Sequence, residues 1–237
     1  MKVIQVVGRS NSGKTYFIHR LLERMTVISP GKVGVIKHLG HHTFDLEEGK
    51  DTTTHYEHGA ECVAGVDAEK TVLTIRNDEL VKSLEILCDL GMEYAIIEGF
   101  KSYGFKKIVK GELESGECLL RDPTVDEVIA SIDKFDDYYT LNGLVSELKN
   151  NGNVTEGCFI ATCSGAFDNC RKDSYVAADL PNEIKNINGI SDAGIRLKKD
   201  YSGTGKPEIL IAVASDNRKD AVRAIDTALS CLFPEAE

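Results

Sequence analysis

No apolar run in this chain approaches the length of a membrane span, so a transmembrane protein is not expected. There is no C-x-x-C pair among its seven cysteines, whose odd number argues against a disulfide framework. No signal-peptide pattern precedes them, and a reduced, cytoplasmic compartment is the expectation. Cys158, Cys163 and Cys170 are close in sequence but lack a partner pair or a nearby histidine, so apolar, buried cysteines are expected rather than a metal site. Positive charge is also short: 28 Lys and Arg stand against 38 Asp and Glu, a formal net charge of -10. That balance argues against nonspecific nucleic-acid or anionic-membrane binding, though a local basic patch is compatible with it. Internal repeats and low-complexity tracts are missing, and 237 residues suffice for one large domain or two small ones.

What is present begins with Gly8-Arg9-Ser10-Asn11-Ser12-Gly13-Lys14-Thr15. It fits G-x-x-x-x-G-K-S/T, the phosphate-binding loop, at every fixed position. The apolar run Val3 to Val7 precedes it and an amphipathic stretch from Tyr16 to Met25 follows, the strand-loop-helix context that the motif requires. Gly8 and Gly13 let the chain turn tightly and bring backbone N–H groups to a phosphate. The helix N-terminus adds unpaired N–H groups and partial positive charge at the same spot. Lys14 can reach the β- and γ-phosphates, and Thr15 offers a hydroxyl to a bridging magnesium ion. Hydrogen bonds to charged groups contribute about 1.5–3 kcal/mol each, so a ring of such donors holds a triphosphate without a deep apolar pocket.

Along the first half, Phe17, Ile18, Leu21, Leu22 and Met25 share a helix face, and Val33 to Lys37 reads as a short buried strand. His38 to Lys50 breaks into a polar loop. Thr52 to His58 fits a short helix capped by Asp51. Cys62–Val66 and Thr71–Ile75 are strand candidates. Asn77 or Asp78 opens a helix with Leu80, Val81, Leu84, Leu87 and Cys88 inward, and Gly91 ends it. Tyr94 to Ile97 is a strand running into Glu98. Alternating strands and helices predict an α/β fold, a mostly parallel sheet flanked by helices, with ligands at the strands' carboxyl ends. Gly8, Lys37 and Glu98 all fall there.

Residues 1–133 are expected to form this phosphate-binding domain, and 134–237 a smaller α+β domain. Val125 to Ile132 is read as the last strand of the first, and Lys134 to Thr140 as a linker. In the second, Leu141 to Lys149 is helical, and Gly157 to Thr162 and Ile209 to Ala214 are extended. Asn217 to Leu232 is a helix with Val222, Ile225, Ala228, Leu229 and Leu232 inward.

Glu98, ending an apolar strand, is the expected acid: it holds magnesium opposite Thr15, directly or through water, or orients the attacking water. Five of six histidines fall between His38 and His58, among Asp45, Glu47, Glu48, Asp51 and Glu57. Zinc or nickel binding and a polar switch loop are both open for this segment, since no H-E-x-x-H spacing appears. No N-K-x-D announces guanine. The residues therefore support a magnesium nucleoside triphosphate and leave the base open. A metallochaperone GTPase rests on the histidines alone, and a small-molecule kinase lacks an arginine-rich lid, Arg76 and Arg121 being isolated.

The ordered series Gly8–Thr15, Val33-Gly34-Val35-Ile36-Lys37-His38, His41-His42-Thr43-Phe44-Asp45, Gly49-Lys50-Asp51, His55, Gly59-Ala60 and Ile97-Glu98-Gly99-Phe100-Lys101 resembles the MobB family, P-loop GTP-binding proteins of molybdopterin guanine dinucleotide biosynthesis. The resemblance covers roughly residues 1–130. It implies a homodimer that binds GTP and magnesium and hydrolyses GTP slowly. It also implies partnership with the guanylyltransferase that joins GMP to molybdopterin, and with molybdopterin or its guanine dinucleotide. By that resemblance the loop residues Gly8, Ser10, Asn11, Ser12, Gly13, Lys14 and Thr15 bind the nucleotide. Thr15, Glu98 and Asp51 stand on the metal side, and Lys37 and Lys101 line the site.

The second half more weakly resembles the large subunit of molybdopterin synthase, the MoaE family. The matching residues are Gly157 to Thr162 with Gly165, and Ile211 to Arg218 leading into the last helix. That family transfers sulfur to a cyclic pterin using lysines in and after a Pro-Ile-Trp-Lys stretch. Here no lysine follows Pro234, Phe167-Asp168 replaces an arginine, and Asn217 stands where histidine is usual. The departures favour a pterin-binding or partner-docking unit over active sulfur transfer.

Overall fold

The computed structural model describes residues 1–40, 47–150, 158–165, 179–201 and 207–233. β1 (Lys2–Gly8), β2 (Val33–Lys37), β5 (Tyr94–Glu98), β6 (Lys107–Lys110) and β7 (Cys118–Arg121) form a sheet in the order β2-β5-β1-β6-β7. Neighbours among these five strands run parallel. β1 is central because its side chains are apolar toward both faces. Ile4 and Val6 meet Phe17, Ile18, Leu21 and Met25 of α1 (Lys14–Ile28). Val3 meets Leu80, Leu84 and Cys88 of α3 (Leu80–Asp89) on the other face. This is the expected α/β architecture. Among the described residues β3 (Cys62–Val66) and β4 (Thr71–Ile75) pair only with each other, as an antiparallel hairpin beside α2 (Asp51–Glu57).

Several expectations need correction. Asp51 lies in the first turn of α2, and Lys50 is its N-cap. Val125 to Ile132 is not a strand but α4 (Val125–Ala130) followed by a 3-10 turn at Ile132–Lys134. The reason is a capping box: Glu127 N–H donates to Thr124 Oγ1 while the Glu127 carboxylate accepts from Thr124 N–H. The strands β6 and β7, unanticipated from sequence, take the sheet positions instead. The segment read as a linker is also structured. Its β8 (Asp136–Asp137) pairs antiparallel with Lys2 and Val3, and Phe135 and Tyr138 are buried. Lys2 clasps it, reaching the Asp137 carboxylate at 3.0 Å and the carbonyls of Asp133 and Phe135.

A second, antiparallel sheet has the order β10-β11-β9, from β9 (Cys158–Gly165), β10 (Ile190–Lys198) and β11 (Glu208–Ser215). β11 alternates between two buried faces. Ile209, Ile211 and Val213 meet α6 (Leu180–Lys185) and α7 (Arg218–Leu232). Leu210 and Ala212 meet Leu144 and Leu148 of α5 (Leu141–Asn150). On α7 the inward residues are Ala221, Ala224, Ala228 and Leu232, whereas Val222, expected inside, is exposed. The small alanines let the helix lie close on β11. Cys158 and Cys163 contribute only backbone to this description, and Cys170 lies outside the described residues.

The two sheets are joined by more than the chain. Tyr201, which follows β10, is buried in the first sheet's core. Its ring stacks on Phe105 at 3.9 Å, its hydroxyl donates to Asp137 O, and its carbonyl accepts from Gly104 N–H. Tyr201→Ala should cost about 3 kcal/mol by removing this packing, and Tyr201→Phe about 1 kcal/mol by removing one hydrogen bond. Urea unfolding of the full chain, read at both sheets, checks both values.

Candidate functional site

The parallel strands bring their carboxyl ends to one edge. There the phosphate-loop residues other than Arg9, with Lys37, His38, Glu98, Gly99 and Lys101, line an open cavity of about 920 Å³. Gly8 is required by close approach: a Cβ there would lie 2.6 Å from the carbonyl oxygen of Lys110 on β6. The turn then passes through left-handed backbone at Asn11 and Gly13, and α1 starts at Lys14. No acidic residue or side-chain cap occupies the first turn of α1, so its leading N–H groups face the cavity's end uncompensated.

Glu98 organises the rest. Its Oε1 accepts from Thr15 Oγ1 at 3.1 Å, and its Oε2 lies 3.4 Å from Lys37 Nζ. A hydroxyl and a carboxylate side by side are hard oxygen donors of the kind magnesium takes. The donor set therefore fits magnesium, which takes few protein oxygens and leaves positions for phosphate and water. Lys14 folds back onto the loop, donating to Arg9 O at 2.6 Å. Its ammonium is held below the ordinary lysine range. Burial is the largest cause, Glu98 opposes it, and Lys101 and Lys37 add to it. Three lysines and one glutamate among the lining residues make this a local basic site on an acidic chain.

The turn after Glu98 is tightly specified. Gly99 has φ 99°, and a Cβ on it would press on His38 Cβ at 2.8 Å. Phe100 also has positive φ, at 52°, and its ring packs on His38 with centroids 4.5 Å apart. Gln5 Nε2 donates to the carbonyls of Gly99 and Phe100, and Lys107 Nζ to that of Lys101. Neither Gln5 nor Lys107 was anticipated. The available signal was a polar residue inside the apolar run of β1.

Of the predicted site residues, Gly8, Ser10, Asn11, Ser12, Gly13, Lys14, Thr15, Lys37, Glu98 and Lys101 are brought together. Asp51 is not: it begins α2 and does not line this cavity. His41, His42 and Asp45 lie outside the described residues. Among the described residues no three His, Cys, Asp or Glu side chains gather as metal ligands. Arg76 and Arg121 are bonded to backbone carbonyls, of Tyr56 and Ala60 and of Gly111 and Leu113, and neither lines the cavity.

A family profile described as "Molybdopterin guanine dinucleotide synthesis protein B" matches residues 3–134. The chain belongs to this MobB family. It is 39% identical over 110 residues to a Bacillus subtilis protein named "Probable molybdopterin-guanine dinucleotide biosynthesis adapter protein", covering 45% of this chain and 63% of that one. It is 33% identical over 128 residues to a Methanocaldococcus jannaschii protein named for the same adapter role, covering 52% of this chain and 53% of that one. The chain thus spans less than two thirds of the length of these curated relatives. Among solved structures, Bacillus subtilis MobB is 27% identical with TM-score 0.44, covering 56% of this chain and 98% of that one. A Bacillus stearothermophilus MobB homologue is 20% identical with TM-score 0.38, covering 63% and 99%.

Acylation of Lys14, followed against pH by mass spectrometry, should show a midpoint below that of exposed lysines. Glu98→Gln should lower the midpoint further, because it removes the one influence that favours the charged form. An unchanged or higher midpoint in the variant would contradict this electrostatic account.

Proposed function

We propose that the chain binds GTP with magnesium in the phosphate-loop cavity and hydrolyses it slowly, as a cytoplasmic adapter in molybdopterin guanine dinucleotide biosynthesis. The observation that carries this is the Thr15 hydroxyl against the Glu98 carboxylate at 3.1 Å, inside a cavity lined by Lys14, Lys37 and Lys101. Magnesium would be held by Thr15 Oγ1 and Glu98 and would neutralise charge on the bridged phosphates. Lys14 turns from Arg9 O to the nucleotide's terminal phosphates, and α1 contributes N–H donors. Glu98 sets the site for hydrolysis. Family membership supports the pathway, and with it the guanine base and a guanylyltransferase partner.

A homodimer is part of the proposal. The β3–β4 hairpin supports it, since it projects Val66, Val72 and Leu73 into solvent and joins neither larger sheet. We read the unit built from α5, α6, α7 and β9 to β11 as synthase-like, docking a pterin or the pathway partner. Asn217, at the histidine position, is occupied as the α7 cap, accepting from Asp220 N–H.

Lys14→Ala should weaken magnesium-GTP binding by about tenfold or more, the loss of one charge-assisted contact, without unfolding the chain. Glu98→Gln should slow hydrolysis more than it weakens binding. Calorimetric titration and phosphate release measure the two. Parental affinity in Lys14→Ala would defeat the phosphate assignment. Equilibrium dialysis of the full chain against molybdopterin, with and without the guanylyltransferase, separates pterin binding from partner docking.

A further inference from the structure

We propose that Gln5 and Lys107 are positioning residues for this site: from β1 and β6 they hold three successive carbonyl oxygens of the Gly99–Lys101 turn and thereby set where Glu98 and Lys101 stand. The proposal rests on the nucleotide function above for its catalytic consequence, and on geometry alone for the holding of the turn.

Gln5 sits in the middle of the central strand and is fully buried. A primary amide there is costly unless it bonds, and its Nε2 bonds twice, to Gly99 O at 2.8 Å and Phe100 O at 2.7 Å. Among the described residues its Oε1 has no partner, so the residue is not present for its own full satisfaction. Lys107 is its register partner on the adjacent strand and is only 4% exposed. Its Nζ donates to Lys101 O at 2.9 Å. Burial pushes this ammonium below the usual lysine range, with Glu117 opposing, as expected for a cation kept inside for the bond it makes.

The turn needs such support. Phe100 is a non-glycine residue at φ 52°, and strained backbone persists only where its surroundings over-determine it. The turn leads directly from Glu98, whose two oxygens are shared between Thr15 and Lys37, to Lys101 on the cavity wall. Apolar residues at positions 5 and 107 would fill the same space but take the side-chain donors from the Gly99 and Lys101 carbonyls and leave that of Phe100 with the Tyr103 N–H alone. A displacement of about 1 Å at such a site costs on the order of a hundredfold in rate.

The test uses full-length Gln5→Leu and Lys107→Met, with Lys107→Arg retaining a donor. Without nucleotide, hydrogen–deuterium exchange at Gly99, Tyr103 and Gly104 should be about tenfold faster in the first two, while α1 stays protected. With magnesium-GTP, kcat should fall about tenfold or more while KM changes little, and Lys107→Arg should recover much of both effects. A general structural loss would instead raise KM and expose α1 as well. Parental exchange rates in both apolar variants would overturn the proposal, as would faster exchange with unchanged kcat. If the parent chain hydrolyses no GTP, the nucleotide function fails and the exchange arm decides the proposal by itself. Should Lys107→Met not fold, Gln5→Leu decides both arms.

Discussion

The parallel register of β1 against β5, which sets Val6 opposite Glu98, is the constraint on which the site depends. It ends the two strands at nearly the same height, so the acid emerges beside the loop that leaves β1 two residues later. A slip by one residue would turn Glu98 to the other face of the sheet. The register is well specified because both faces of these strands are buried: Ile4, Val6 and Ile96 pack beneath α1, and Val3, Ala95 and Ile97 pack beneath α3. Apolar packing far from the cavity therefore decides the 3.1 Å contact between Thr15 and Glu98.

Charge is distributed with the same economy. The chain carries an excess of carboxylates, yet three lysines, from α1, β2 and the turn after β5, line one cavity together with Glu98. Burial, and after it the repulsion of Lys101 and Lys37, disfavours the charged form of Lys14, and Glu98 partly offsets this. A polyanion would offset it far more, because it meets all three ammonium groups and the open end of α1 together. The family's phosphate-loop character and the local electrostatics thus agree without the net charge predicting either.

The two sheets form a joined structure through Tyr201, α5 and the clasp of Lys2 on the segment around Asp137. Tyr201 matters most for the site, since it grips Gly104 and Phe105 at the far end of the loop that starts at Glu98. An ion pair adds to the seam. Lys198 of β10 lies 3.4 Å from Glu85 of α3. This partly exposed pair contributes little energy but fixes orientation. The second unit is therefore anchored to the loop wall of the first rather than hanging from a tether.

Local patterns in the sequence determined much of this. The phosphate loop, the strand ending at Glu98, the face of α1 and the run of β11 were all legible, because each rests on side chains close in sequence or on a short-range period. The strands β6 and β7 were not: four-residue segments carry too little pattern, and their place follows from pairing with β1. The same is true of β8, whose acidic and aromatic residues resembled a linker until Lys2 and Val3 paired with it. In α4, the propensity of Val125 to Ile132 for strand yielded to the Thr124–Glu127 capping box. Asp51 was grouped with the metal side by resemblance, and the fold sets it apart in α2. By itself the sequence determined which groups could meet a phosphate, since that chemistry lies within eight consecutive residues and one strand end. Only the tertiary structure decided which distant groups support them. Gln5, Lys107 and Tyr201 act across strands and between sheets, where contact depends on packing and register rather than on neighbours in the chain.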